Sequence, residues 1–134
     1  METITLADLT AQLDRSDPTS LRILLSGKSA SREAGKVLAP LFDQSLAIAT
    51  GERRRLALHF EKLEYFNSST IAALVQFIRA AQQAGVALTV VYDGSAKWQA
   101  MSFDALRRAL KPFDQGAVSP VRFVAAPAGG GTAG

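Results

Sequence analysis

The chain has 134 residues, of which 48% are hydrophobic, with no cysteine and with 15 lysines and arginines against 12 carboxylates. That length and apolar content suit one domain around a single core, and the absence of cysteine excludes a disulfide framework, a thiolate metal site and a thiol nucleophile. The net charge of +3 raises the question of nucleic acid, but the basic residues are scattered along the chain and do not form the single stripe that tracks phosphates.

Taken in chain order, Met1 to Ile4 lacks the basic and apolar regions of a signal peptide, and no apolar run approaches the roughly 18 residues of a membrane span. The expectation is a soluble, cytoplasmic protein without membrane or nucleic-acid partners. Leu9, Ala11 and Leu13 alternate with polar neighbours, Asp14 to Thr19 supplies turn chemistry, and Leu21, Ile23 and Leu25 alternate again. This predicts a β-hairpin with a long loop, with a helical Leu9 to Leu13 as the alternative because Ala, Gln and Leu also favour helix. Between Ser31 and Thr50, the spacing of Val37, Leu38, Leu41, Phe42, Ser45 and Ile48 predicts a helix. Pro40 is comfortable only in a first turn, which puts the start near Ala39, and Thr50-Gly51 marks the stop. Arg53, Arg54 and Arg55 then fall in a turn and read as a solvated basic run, with an acidic protein partner as the livelier alternative.

Leu56 to Phe60 alternates as a half-buried strand, and Ser69 to Ala84 carries Ile71, Leu74, Val75, Ile78 and Ala81 on one helical stripe. Phe77 lies on another side, where it either fills a groove or stays partly exposed for a partner; its size favours burial. Gly85 closes this helix before a strand over Val86 to Tyr92. Asp93-Gly94-Ser95 forms a turn and cap, and a helix follows to about Leu110, before Pro112, with Trp98, Met101, Ala105 and Leu106 inside. Val121 to Val124 reads as a short edge strand. Residues 125–134 have nothing to bury and read as a disordered tail, which leaves 1–124 as the domain.

Two catalytic fragments fail on their own terms. Ser26-Gly27-Lys28-Ser29 resembles the end of a P-loop, but the glycine required five residues before Gly27 is Arg22. His59 is the only histidine, no Gly-x-Ser-x-Gly elbow accompanies it, and no spacing of His and carboxylates suits a metal. No cofactor, metal site or catalytic residue is expected.

The most informative stretch is Leu63 to Ile71, where an apolar strand ends in Asn67-Ser68-Ser69-Thr70 and opens a helix. Hydroxyls there can cap the free amides, and a phosphate added there would meet the same amides and the positive end of the helix dipole. Taken alone, this is an ordinary N-cap. In its strand, helix, strand setting the junction resembles that of the STAS domain, the fold of bacterial anti-sigma factor antagonists, whose signature there is Asp-Ser-(Ser/Thr)-Gly. It is more similar still to a branch of STAS-like regulators with Asn in place of Asp and a downstream Trp-Gln-x-x-Ser-Phe-x-x-Leu run, present here from Trp98 to Leu106.

The resemblance implies an α/β sandwich with a mixed sheet of four or five strands and helices mainly on one face. It implies a non-enzymatic regulator that switches partners by phosphorylation, with Ser68 as acceptor and Ser69 and Thr70 as secondary sites. The enzymes it implies are a Ser/Thr kinase of the anti-sigma type and a PP2C-like phosphatase, with a downstream regulatory protein or enzyme as a further partner. The expected partner-facing surface is Asn67, Ser68, Ser69 and Thr70 with Gln76, Arg79 and Gln83 on the exposed side of the helix. Asn67 keeps the capping ability of Asp without its charge, and Thr70 adds a methyl and hydroxyl to the rim in place of Gly. The STAS pattern continues into one more helix for which this chain leaves no room, so either the core is covered differently or a sheet edge serves a homodimer. The alternative from another class is a scaffold, or a docking activator of a signalling enzyme, that uses the same surface without phosphorylation.

Overall fold

The computed structural model describes residues 2–110 and 121–126. Its elements are β1 (Glu2–Leu6), β2 (Leu9–Asp14), β3 (Ser20–Ser29), α1 (Ala34–Glu52), β4 (Arg55–Phe66), α2 (Ser68–Ala84), β5 (Leu88–Asp93), α3 (Lys97–Leu110) and β6 (Val121–Ala126). The six strands lie in the sheet in chain order. β1, β2 and β3 are antiparallel, whereas β3, β4, β5 and β6 run parallel, with one helix in each connection.

That order explains the layering. When each parallel strand is laid beside the one before it, right-handed crossovers return every helix to the same face. The strands alternate accordingly: Leu9, Ala11 and Leu13, Leu21, Ile23 and Leu25, Leu56, Leu58 and Phe60, and Leu88 and Val90 are buried. Of the residues between them, Gln12, Leu24, Ala57, His59, Thr89 and Val91 are half-buried and Arg22 is exposed on the other face. The architecture is the mixed α/β sheet expected from the sequence, with six strands in place of four or five. β1 is the strand not anticipated; it pairs with β2 over all five of its residues, and Leu9 to Leu13 is strand, not helix.

Two helices differ from expectation. α1 begins at Ala34, five residues before the predicted start, and carries Pro40 inside it. Pro40 and Lys36 are both exposed, so the carbonyl deprived of its donor is on the solvent side. Burial of Ala34, Leu38, Leu41 and Phe42 outweighs the loss. α3 turns a different face inward: Gln99, Phe103 and Leu106 are buried, Trp98 is half-buried, and Met101 and Ala105 are exposed, Met101 by 68%. The cause is the Gln99 carboxamide, whose three hydrogen bonds are described below.

Aromatic rings join the layers. Phe42 of α1 stacks on Phe77 of α2 at 4.6 Å, which settles Phe77 as a core residue. Phe103 packs against Phe60, Phe66, Tyr92 and Phe123, so α3 is anchored on three strands at once. β6 includes Ala125 and Ala126, at the start of the expected tail; residues 127–134 and Pro112 lie outside the described residues.

Candidate functional site

The junction between β4 and α2 is built from both sides. Asn67 is the N-cap of α2 in an extended conformation, and its Oδ1 accepts from the Thr70 N–H at 3.0 Å and from the Thr70 hydroxyl at 2.8 Å. Its Nδ2 donates to the Ser31 carbonyl at 2.9 Å, and its backbone N–H donates to the Ser29 carbonyl at 3.0 Å. An aspartate at this position could cap Thr70 but could not donate to Ser31. Asn67 therefore ties the loop between β3 and α1 to the start of α2 in a way its charged counterpart would not.

The three hydroxyls that follow have separate fates. Ser68 is exposed at the first position of α2. Ser69 is half-buried; its hydroxyl donates to the Arg32 carbonyl at 3.2 Å and accepts from the Gly35 N–H at 3.0 Å. Thr70 is 1% exposed, with its Oγ1 also 2.6 Å from Ser29 Oγ. The expectation that Thr70 lines the partner-facing rim is thus corrected: its hydroxyl faces inward and completes the cap. Gly35 is required where it stands, because a Cβ there would lie 2.7 Å from Ser69 Oγ and 2.8 Å from the Ser69 carbonyl oxygen.

Along α2, Ser68, Ala72, Gln76, Arg79 and Gln83 are all exposed and follow one another at helical spacing. They form one stripe that begins at Ser68 and runs about 22 Å down the helix at 1.5 Å per residue. The predicted inner stripe is slightly rotated: Leu74, Phe77, Ile78 and Ala81 are buried, while Ile71 and Val75 are half-buried. The first turn of α2 contains no acidic residue, so no side-chain carboxylate balances the positive end of its dipole. The residues missed in the sequence are those of the facing β3–α1 connection, Ser29 at the end of β3, Ser31 and Arg32 in the loop and Gly35 in the first turn of α1; the run of Ser and Gly from Ser26 to Gly35 is the signal that marks it.

The competing candidates are accounted for structurally. Ser26-Gly27-Lys28-Ser29 lies within β3, not in a loop, and Gly27 has φ +85°, where a Cβ would lie only 1.9 Å from the Asp8 carbonyl oxygen. His59 is half-buried on the open face, with Nδ1 3.0 Å from Glu61 Oε1. Among Arg53, Arg54 and Arg55, the middle one is not solvated: its side chain is 15% exposed, pairs with Glu52 at 2.7 Å and reaches the Arg15 and Asp17 carbonyls. It ties the β2–β3 loop to the end of α1. No cluster of His, Cys, Asp and Glu among the described residues could hold a metal.

The carboxylates with depressed pKa are equally structural. The Ser16 hydroxyl and N–H and the Arg22 guanidinium hold Asp14 far below the usual range. Asp17 is lowered by the Thr19 N–H and hydroxyl, Asp93 by the Ser95 hydroxyl and N–H, and Asp104 by Arg107. They occupy separate turns and a helix surface, and do not converge on a cleft as titrating groups of an active site do.

No family model and no curated protein matches the sequence. Solved structures do match the fold, which is that of the STAS domain. The anti-sigma factor antagonist SpoIIAA in its unphosphorylated form is 12% identical, with 72% of this chain and 82% of that chain covered and a TM-score of 0.54. An anti-sigma factor antagonist from Mycobacterium paratuberculosis is 17% identical over 79% and 86%, with a TM-score of 0.52. A chain from the complex of the diguanylate cyclase SiaD with its activator SiaC from Pseudomonas aeruginosa is 18% identical over 93% and 99%, with a TM-score of 0.56.

Proposed function

We propose that this chain is a non-enzymatic signalling regulator of the anti-sigma factor antagonist type, which holds a protein partner while Ser68 is free and releases it when Ser68 is phosphorylated. The observation that carries the reading is the contrast among neighbouring hydroxyls: Ser68 is exposed at the head of the α2 stripe, Ser69 is engaged with the α1 start, and Thr70 is buried. The partner lies along Ser68, Gln76, Arg79 and Gln83, and the modifying enzymes are a Ser/Thr kinase of the anti-sigma type and a PP2C-like phosphatase in the cytoplasm.

The energetics are adequate. A phosphate adds about −1.5 to −2 charges, and desolvating it against a close protein surface costs several kcal/mol. Turning a binding equilibrium nearly completely over requires about 5.5 kcal/mol of differential affinity, most of which one phosphate at the centre of an interface supplies. A second reading is favoured by the match to a chain of the cyclase–activator complex, which covers 93% of this chain and 99% of that one: a docking activator of a signalling enzyme.

Incubation of the purified protein with an extract of its native cells and ATP, followed by intact-mass and tandem mass spectrometry, tests the first reading. One phosphate on Ser68, absent from Ser68→Ala, is the expected result; the main phosphate on any other residue overturns it. Co-purification of the same partner with wild type, Ser68→Glu and Arg79→Glu in equal amounts would place the binding face elsewhere.

A further inference from the structure

The Trp-Gln-x-x-Ser-Phe-x-x-Leu run, Trp98 to Leu106, is a motif that partner switching does not use directly. Its place in the fold assigns it a role. β4 pairs with β5 only from Leu56 to His59, and from there to Phe66 its sole neighbour in the sheet is β3, with register shifts between Leu24 and Ser26 and again between Gly27 and Lys28. A strand left single-sided in this way has carbonyls without a ladder partner, and a buried carbonyl needs one. Gln99 supplies it. Its Nε2 donates to the Phe60 carbonyl at 2.8 Å and to the Leu63 carbonyl at 2.8 Å, while its Oε1 accepts from the Asp93 N–H at 2.7 Å, at the end of β5. The residue is 1% exposed, and both of its bonds to β4 are buried. The adjacent Trp98 sets its ring edge-on to Phe66, centroids 5.4 Å apart, one residue before Asn67.

We propose that Gln99 is the positioning residue of the Ser68 site: its carboxamide replaces the missing stretch of β5, holds the free half of β4, and so fixes where the chain leaves the sheet to present Ser68. The link from Gln99 to function rests on Ser68 being the functional residue; the link from Gln99 to the geometry of β4 does not.

The test uses the full chain with Gln99→Met, which keeps the length and loses all three bonds, and Gln99→Glu, which keeps the acceptor for Asp93 and loses both donors. Amide hydrogen exchange, measured well below the unfolding transition of each variant, is expected to quicken about tenfold in Glu61 to Thr70 and to stay within about twofold in Leu21 to Leu25 and Leu56 to His59. Phosphorylation of Ser68 by the same cell extract and ATP should slow in parallel. Uniform acceleration across the sheet would reduce Gln99 to general stability and overturn the proposal, as would unchanged exchange in Glu61 to Thr70 or wild-type behaviour of Gln99→Glu. If wild type takes no phosphate on Ser68, the switching role fails, and the exchange pattern still decides whether Gln99 holds β4.

Discussion

Helices α1 and α2 start side by side, and they solve the same problem by different means. α2 has a cap of its own: Asn67 is extended, and its side chain takes the Thr70 N–H. α1 is preceded by Glu33, in a helical conformation with no side-chain cap, and its Gly35 N–H is taken by Ser69 from the first turn of α2. One helix is therefore locally specified and the other is completed by its neighbour. Of the three hydroxyls at the junction, Ser69 completes the start of α1, Thr70 joins Asn67 and Ser29 beneath the start of α2, and Ser68 is left to the solvent.

Substitutions that separate the two starts should rank accordingly. Gly35→Val is expected to have the largest effect, about 1–3 kcal/mol in urea unfolding, because the new Cβ meets backbone as well as the Ser69 hydroxyl and one of the helices must move. Asn67→Ala should cost about 1–2 kcal/mol, since it removes the cap and leaves the Ser31 carbonyl without its donor; Asn67→Asp should recover part of this through the retained acceptor. Ser69→Ala should cost about 1 kcal/mol, and the loss should appear as faster amide exchange at the start of α1 rather than of α2. Ser68→Ala should stay within about 0.5 kcal/mol of wild type by thermal unfolding, as expected of an exposed side chain beside the cap whose acceptor is Asn67. A cost for Ser68→Ala equal to that of Ser69→Ala would erase the distinction between the two serines.

The same comparison explains what could be read from the sequence. The start of α2 was legible because its cap and its apolar spacing lie within a few residues of each other, and the STAS fold followed from that junction. The start of α1 was not, because Ser69 lies 34 residues away from Gly35 in the chain, while Pro40 gave a strong local signal in the wrong place. α3 misled in a similar way. Met101 and Ala105 are apolar and their spacing points them inward, yet a buried Gln99 takes the inner face through bonds to Phe60, Leu63 and Asp93 that exist only once the sheet is assembled. Comparison with a glycine places Thr70 on the rim, because its partner Ser29 lies 41 residues away on β3.

The bare first turn of α2 has a practical corollary. A negative group added at Ser68 would interact with a helix terminus whose own first turn carries no carboxylate, and such interactions contribute about 0.3–1 kcal/mol at an exposed site. Modified and unmodified forms should then differ in melting temperature by a few degrees, with the modified form higher, since about 1 kcal/mol moves a domain of this size by roughly 2–8 °C. The state of the serine could be followed by a simple thermal shift in a mixture, without isotope, antibody or knowledge of the partner.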